Sequence, residues 1–281
     1  MVTMGTGFDL LTEGLRFCGR LNRRRSTWSL KFSSLFADPV LKLRLLSFQL
    51  KIALAIGLVG VCRAAGDVVP TTEVYGIASD GTVLHWDAYA PTTKAGPWPA
   101  VLVIHGGNFY GGSPTSSPDS VTLAQDLAAQ GYIAFSIEYR LAPPGTLPGQ
   151  KSSGQFPDQT NDVKLAVRSA RSDPRCNGQV GSVGGSAGGS HTAFVAATGT
   201  PGDDRIDVGV SLSGLYDATD FSPNPGLADY TVKVLGYVGV PATDLTVLKA
   251  ASPAWLADKT IAPLLMVNSL EDPMPYSQYQ T

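Results

Sequence analysis

The chain has 281 residues, 43% hydrophobic and 16% charged, with a formal net charge of -2; this suits one globular domain with extensions and excludes a nucleic-acid-binding surface built on excess basic charge. The basic cluster Arg23-Arg24-Arg25 lies before the globular part. Of the cysteines, Cys18 and Cys62 precede the expected mature start and leave Cys176 alone, so no internal disulfide is expected and stability must come from a core.

Residues 40–65 read as a secretory signal. Lys42, Arg44 and Lys51 give a positive start, residues 52–61 an apolar run, and Cys62-Arg63-Ala64-Ala65 a small-residue exit. About ten apolar residues are too few to span a bilayer, so no stable membrane span is expected. Export signals begin a chain, so residues 1–39 are expected to be an upstream mis-start or a disordered leader, with translation starting near Val40, and the mature protein secreted or periplasmic. Residues 66–281 then form the domain.

Residues 72–75 and 83–89 are predicted strands flanking the turn Ser79-Asp80-Gly81, an opening hairpin. Residues 100–104 are short and purely apolar, as expected of a strand buried on both faces. His105-Gly106-Gly107 follows at its end. Two glycines directly after a central strand let backbone amides approach a ligand unobstructed, which makes Gly106 and Gly107 candidate donors to an oxyanion. Residues 121–130 are a predicted helix ended by Gly131, residues 132–138 a buried strand, and residues 158–171 a helix with Val163, Ala166, Val167 and Ala170 on one face.

Residues 179–184 form a short β-prone run that enters the G-x-S-x-G pentapeptide Gly184-Gly185-Ser186-Ala187-Gly188, and a small-residue, helix-compatible run, residues 190–197, leaves it. A serine at the tip of a strand-to-helix reversal is strained, and its glycine neighbours avoid collision with the adjoining strand and helix. The reversal aims the first amides of the helix at the reacting centre. Ser186 is therefore the candidate nucleophile and the Ala187 N–H a candidate oxyanion donor. Residues 207–212 are the next strand, residues 221–250 a small lid with two helical patches, and residues 263–268 the last strand, followed by Glu271-Asp272-Pro273. The alternation predicts an α/β fold: a mostly parallel central sheet with helices on both faces.

From residue 72 onward the chain resembles the α/β-hydrolase fold, and within it the esterase/lipase group that includes hormone-sensitive-lipase-like and bacterial feruloyl- or acetyl-esterase-like enzymes. The ordered blocks that carry the resemblance are His105-Gly106-Gly107, Tyr139-Arg140-Leu141-Ala142-Pro143, Phe156-Pro157 with Asp162, residues 184–189, Ser252-Pro253, and Asp272 after the final strand. The resemblance implies an exported carboxylic-ester hydrolase. Ser186 would be the nucleophile, Gly106, Gly107 and Ala187 the oxyanion amides, and Asp272 the acid that orients the base, with Asp217 the competing acid. It implies no cofactor, and no cluster of His, Cys or carboxylates has metal-ligand spacing. The implied partner is a small-molecule or polysaccharide-linked ester. Arg140 and Asp162 are expected to form a buried ion pair under the pocket.

The departure from the family is the histidine. In this fold the order is Ser, Asp, His, and no histidine follows Asp272. His105 belongs to the oxyanion turn, His191 is placed about 7.5 Å along the elbow helix and is expected to pack against the sheet, and His85 lies on an early strand. The expectation is a C-terminally truncated or frameshifted esterase sequence, lacking the family's last strand and helix and nearly inactive as it stands. A serine peptidase of the same fold and a catalytically dead binding or scaffold protein are the alternatives.

Overall fold

The computed structural model of the protein describes residues 28–32, 68–115, 118–142, 153–222, 230–269, 272 and 274–280. The expected signal, and the expected leader apart from residues 28–32, lie outside the described residues. So do residues 223–229 of the expected lid.

The sheet is built around β4 (Trp98–Ile104), flanked in parallel by β5 (Ile133–Ile137) and β6 (Cys176–Gly185). β4 alternates strictly. Ala100, Leu102 and Ile104 enter one core with Val163, Ala166, Val167 and Ala193, while Val101 and Val103 enter another with Ala124, Leu127 and Ala128. A strand apolar on both faces therefore has a helix layer on each side, as parallel pairing requires. The first layer holds α2 (Asp158–Ser172) and α3 (Ala187–Ala197); the second holds α1 (Pro118–Ala129).

Beyond β6 the sheet continues in parallel through β7 (Val208–Leu212) and β8 (Leu264–Ser269). On the other side β3 (Val83–Tyr89) pairs antiparallel with β5 and with β2 (Thr71–Ile77), the expected hairpin. β1 (Trp28–Phe32), inside the expected leader, lies antiparallel along β8 with Leu30 opposite Val267. The sheet order is β1-β8-β7-β6-β4-β5-β3-β2. The α/β architecture with a mostly parallel sheet is thus as expected.

Boundaries moved where tertiary contacts outweigh propensity. The elbow helix begins at Ala187 rather than residue 190, because Gly188 and Gly189 sit against the backbones of Ile104 and Leu212, where helix packing overrides the low helical preference of glycine. Within 221–250, α4 (Tyr230–Val238) and α5 (Leu245–Ala250) supply the two helical patches. Tyr230, Val234, Leu235, Tyr237 and Leu248 join Phe109 in a third apolar cluster above the C-terminal ends of the strands. α6 (Pro253–Leu256) leads into β8, and α7 (Ser277–Gln280) follows it. Gln278 ties α7 down: its Oε1 accepts from the Tyr216 and Asp217 amides at 2.7 and 2.8 Å, and its Nε2 donates to Asp217 O at 2.8 Å.

Candidate active site

The C-terminal ends of β4, β6, β7 and β8 meet at one place. β6 delivers Ser186, and between Val180 and Ala196 it is the exposed residue in a run otherwise buried, Gly185 being half-buried. Its backbone stands at φ 55 and ψ -120, a conformation that β-carbon-bearing residues rarely adopt. Three hydrogen bonds hold it there: its N–H donates to Leu212 O at 2.8 Å, and its carbonyl accepts from Ser190 N at 3.0 Å and from Ser190 Oγ at 3.1 Å. The strain is therefore carried by β7 on one side and by the first turn of α3 on the other.

β4 delivers the second half. A Cβ on Gly106 would stand 2.9 Å from Gly185 O and 3.2 Å from Ser186 Cβ, so only glycine lets this turn lie against the serine. The chain then passes through three successive residues with positive φ, Gly107 at 134, Asn108 at 56 and Phe109 at 68. Strain of this kind persists only where neighbours over-determine it. Here Phe109 O accepts from Gln159 Nε2 at 2.7 Å and from Ala142 N at 2.9 Å, and the Phe109 ring stacks on Tyr237 with centroids 4.0 Å apart. Gly106, Ser186 and Ala187 at the head of α3 thus share one small volume. Gly107 shapes the turn beside them.

Asp272 stands just after β8. One carboxylate oxygen accepts from the Met274 amide at 2.8 Å and the other from the Ser213 hydroxyl, at the end of β7. Ser213 itself has φ 52. Asp217 is committed elsewhere: its Oδ1 accepts from Thr219 N, Thr219 Oγ1 and Trp255 Nε1 at 2.8, 2.6 and 3.1 Å.

The three histidines are all engaged. His85 Nδ1 pairs with Glu138 Oε1 at 2.9 Å on an outer strand. His105 Nδ1 lies 2.8 Å from Gly106 O and the ring stacks on Tyr139, 4.4 Å between centroids; burial lowers its pKa. His191 Nε2 lies 3.0 Å from Gln159 Oε1, and burial, with His105 adding, pushes its pKa down to about 3. His191 packs edge-on to Phe109 and Tyr139, under the strained turn, with Gln159 of α2 as its polar partner.

The expected ion pair is present. Arg140 Nη2 and Nε reach Asp162 Oδ1 and Oδ2 at 2.8 and 2.9 Å, and the Arg140 amide donates to Asp162 Oδ2 at 2.9 Å. The hydrogen bonds to Asp162 hold the guanidinium pKa above its ordinary value. The pair braces the segment whose Tyr139 hydroxyl donates to His105 O at 2.9 Å.

A small, mostly apolar depression opens over Ser186. Phe109, Leu215, Val234 and Met274 supply its apolar lining, and Asn108, Tyr230 and Lys233 its polar side chains around the serine. Sequence reasoning did not single out Ser213, Tyr230 or Lys233; nothing local distinguishes them, and only the convergence of β7, β8 and α4 gives them a place. Among the described residues there is no group of three or more His, Cys, Asp or Glu able to hold a metal ion, and no helix long and apolar enough to cross a membrane.

The family model called BD-FAE matches residues 86–281. The chain belongs to the BD-FAE family. This BD-FAE chain is 28% identical over 193 residues to Esterase LipC of Mycobacterium tuberculosis, an alignment covering 63% of the chain and 45% of LipC, so it spans about half the length of that curated relative. Among solved structures it superposes on Thermogutta terrifontis esterase 2 phosphonylated by sarin with a TM-score of 0.56 at 19% identity, covering 72% of each chain. The butyrate-bound form of the same enzyme gives a TM-score of 0.52 at 18% identity, covering 71% of each. At such identities the likeness fixes the BD-FAE chain's fold, the α/β-hydrolase fold of those esterases.

Proposed function

We propose that the protein is a serine carboxylic-ester hydrolase acting on small acyl esters. The observation that carries this is the exposed, strained Ser186 with Gly106 packed against it. Ser186 Oγ attacks the ester carbonyl carbon and loses its proton to a general base; the amides of Gly106, Gly107 and Ala187 hold the oxyanion. Collapse expels the alcohol, which takes that proton, and water then attacks the acyl-enzyme and releases the acid. Asp272 is the orienting carboxylate. His85, His105 and His191 are committed elsewhere by their environments, and the role of general base is assigned to none of them. Support for small acyl groups comes from the butyrate-bound neighbour, and support for an organophosphonate-reactive serine from the sarin adduct of that same enzyme. Export through residues 40–65 belongs to the same proposal.

The engagement of all three histidines favours a second reading, a protein that keeps the fold and binds without turnover. Labelling by a fluorophosphonate probe, with and without added imidazole, separates the two. The hydrolase reading expects slow labelling of the 281-residue chain that rises with imidazole concentration and disappears in Ser186→Ala. Labelling equal in Ser186→Ala, or absent at every imidazole concentration, would leave the binding reading.

A further inference from the structure

Gln159, in the first turn of α2, is fully buried, and its side-chain amide joins three other segments. Nε2 donates to Phe109 O at 2.7 Å and to Gly154 O at 2.5 Å, while Oε1 lies 3.0 Å from His191 Nε2 on α3. The reverse amide orientation would set Oε1 against two carbonyl oxygens, so one orientation alone fits. Because Oε1 only accepts, the His191 ring carries its proton on Nε2. Burial, with His105 adding, lowers the His191 pKa to about 3 and keeps the ring neutral. Its Nδ1 has no hydrogen-bond partner among the described residues, as suits the nitrogen without a proton. Phe109 is where this amide bears on the serine. A bulky residue at φ 68 is an outlier that persists only where its neighbours over-determine it. Its carbonyl has two donors, Ala142 N and Gln159 Nε2. Immediately before it come Asn108 and Gly107, also at positive φ, and Gly106, which lies against Ser186. The helix that carries Gln159 is itself anchored, since Asp162, three residues on, binds Arg140 at 2.8 Å.

We propose that Gln159 is a positioning residue for the reaction at Ser186: its amide, held in one orientation by His191, keeps the 106–109 turn in the strained form that aims its amides at the oxyanion. The inference rests on the hydrolase reading above. Gln159 does not line the depression, and it acts through the turn. Without its Nε2 the buried Phe109 carbonyl keeps one donor of two, and relaxation of the turn takes the amides of 106 and 107 away from Ser186.

Two measurements on the full chain test this. The first needs no variant and no turnover: NMR of the parent at neutral pH should show His191 as the Nε2–H tautomer, with the Gln159 side-chain amide protons exchanging at least about 100-fold more slowly than those of exposed Asn and Gln. An Nδ1–H tautomer, or an unprotected amide, overturns the inference. The second compares Gln159→Met, similar in size but without the amide, with Val163→Ala, which opens a cavity in the core one turn further along the same helix. With imidazole added as base, the fluorophosphonate labelling rate at saturating probe should fall about 100-fold in Gln159→Met, the scale of a misplacement of about 1 Å, while the probe concentration giving half that rate stays within about twofold. In Val163→Ala both quantities should stay at the parent's values. A labelling rate unchanged in Gln159→Met, or lowered equally in Val163→Ala, overturns the inference. If the parent labels at no imidazole concentration, the hydrolase reading falls and amide exchange decides. Faster exchange of the Gly106 and Gly107 amides in Gln159→Met than in Val163→Ala then retains Gln159 as the residue that sets the turn, and equal exchange overturns it.

Discussion

His191 gives a quantitative test of how the pocket floor is built. It is 1% exposed, its ring is wedged between Phe109 and Tyr139, and its pKa falls from 6.5 to about 3 because burial disfavours the charged imidazole. In the unfolded chain the same ring protonates near pH 6.5. The folded pKa is the lower one, so the unfolded state binds the proton first: stability from this group is complete above pH 6.5 and is lost as pH falls toward 3. The loss is about 1.4 kcal/mol per pH unit in that window, hence about 2 kcal/mol at pH 5, a large share of the roughly 5–15 kcal/mol that stabilises a domain. Urea unfolding at pH 7.5 and pH 5 measures it in the parent and in His191→Gln, which cannot titrate but keeps a polar group opposite Gln159. The parent should lose about 2 kcal/mol more than the variant between the two pH values. Equal losses in the two proteins would refute a neutral, buried His191.

Two further substitutions probe the site and its support. Gly106→Ala puts a methyl 2.9 Å from the Gly185 backbone oxygen and 3.2 Å from Ser186 Cβ, contacts that cannot be relieved without displacing the elbow; fluorophosphonate labelling of Ser186 should slow by at least about 100-fold, the scale of losing one oxyanion donor, and an unchanged rate would show that this turn takes no part. Asp162→Ala removes the closest partner of the buried Arg140 guanidinium and leaves Asp80 and Asp158 at 3.3 and 3.4 Å, and should lower the unfolding free energy by about 1.5–3 kcal/mol, the scale of lost hydrogen bonds to a charged group, read as a drop in the urea midpoint at constant slope.

The fold was legible because its strands are short, apolar and separated by helical periods. Buried parallel strands need exactly that composition on both faces, and residues 100–104 and 132–138 could hardly be anything else. Ser186 was legible for a related reason, since a strained reversal admits so few side chains that its glycines stand out in the sequence. The Arg140–Asp162 pair came from the family's spacing, and its hydrogen bonds now show why the segment after β5 stays in place.

Sequence alone determined the layered α/β architecture, the serine at the bend and the glycines beside it, because backbone sterics and burial periodicity are written residue by residue. Tertiary structure alone decided the rest: that Gly106 touches the serine across two strands, that Asp272 meets Ser213, that His191 is closed in under the Phe109 turn, and that Tyr230 and Lys233 face the depression. Each is a contact between segments distant along the chain, and such a contact depends on the relative placement of whole elements, which no local run of residues encodes.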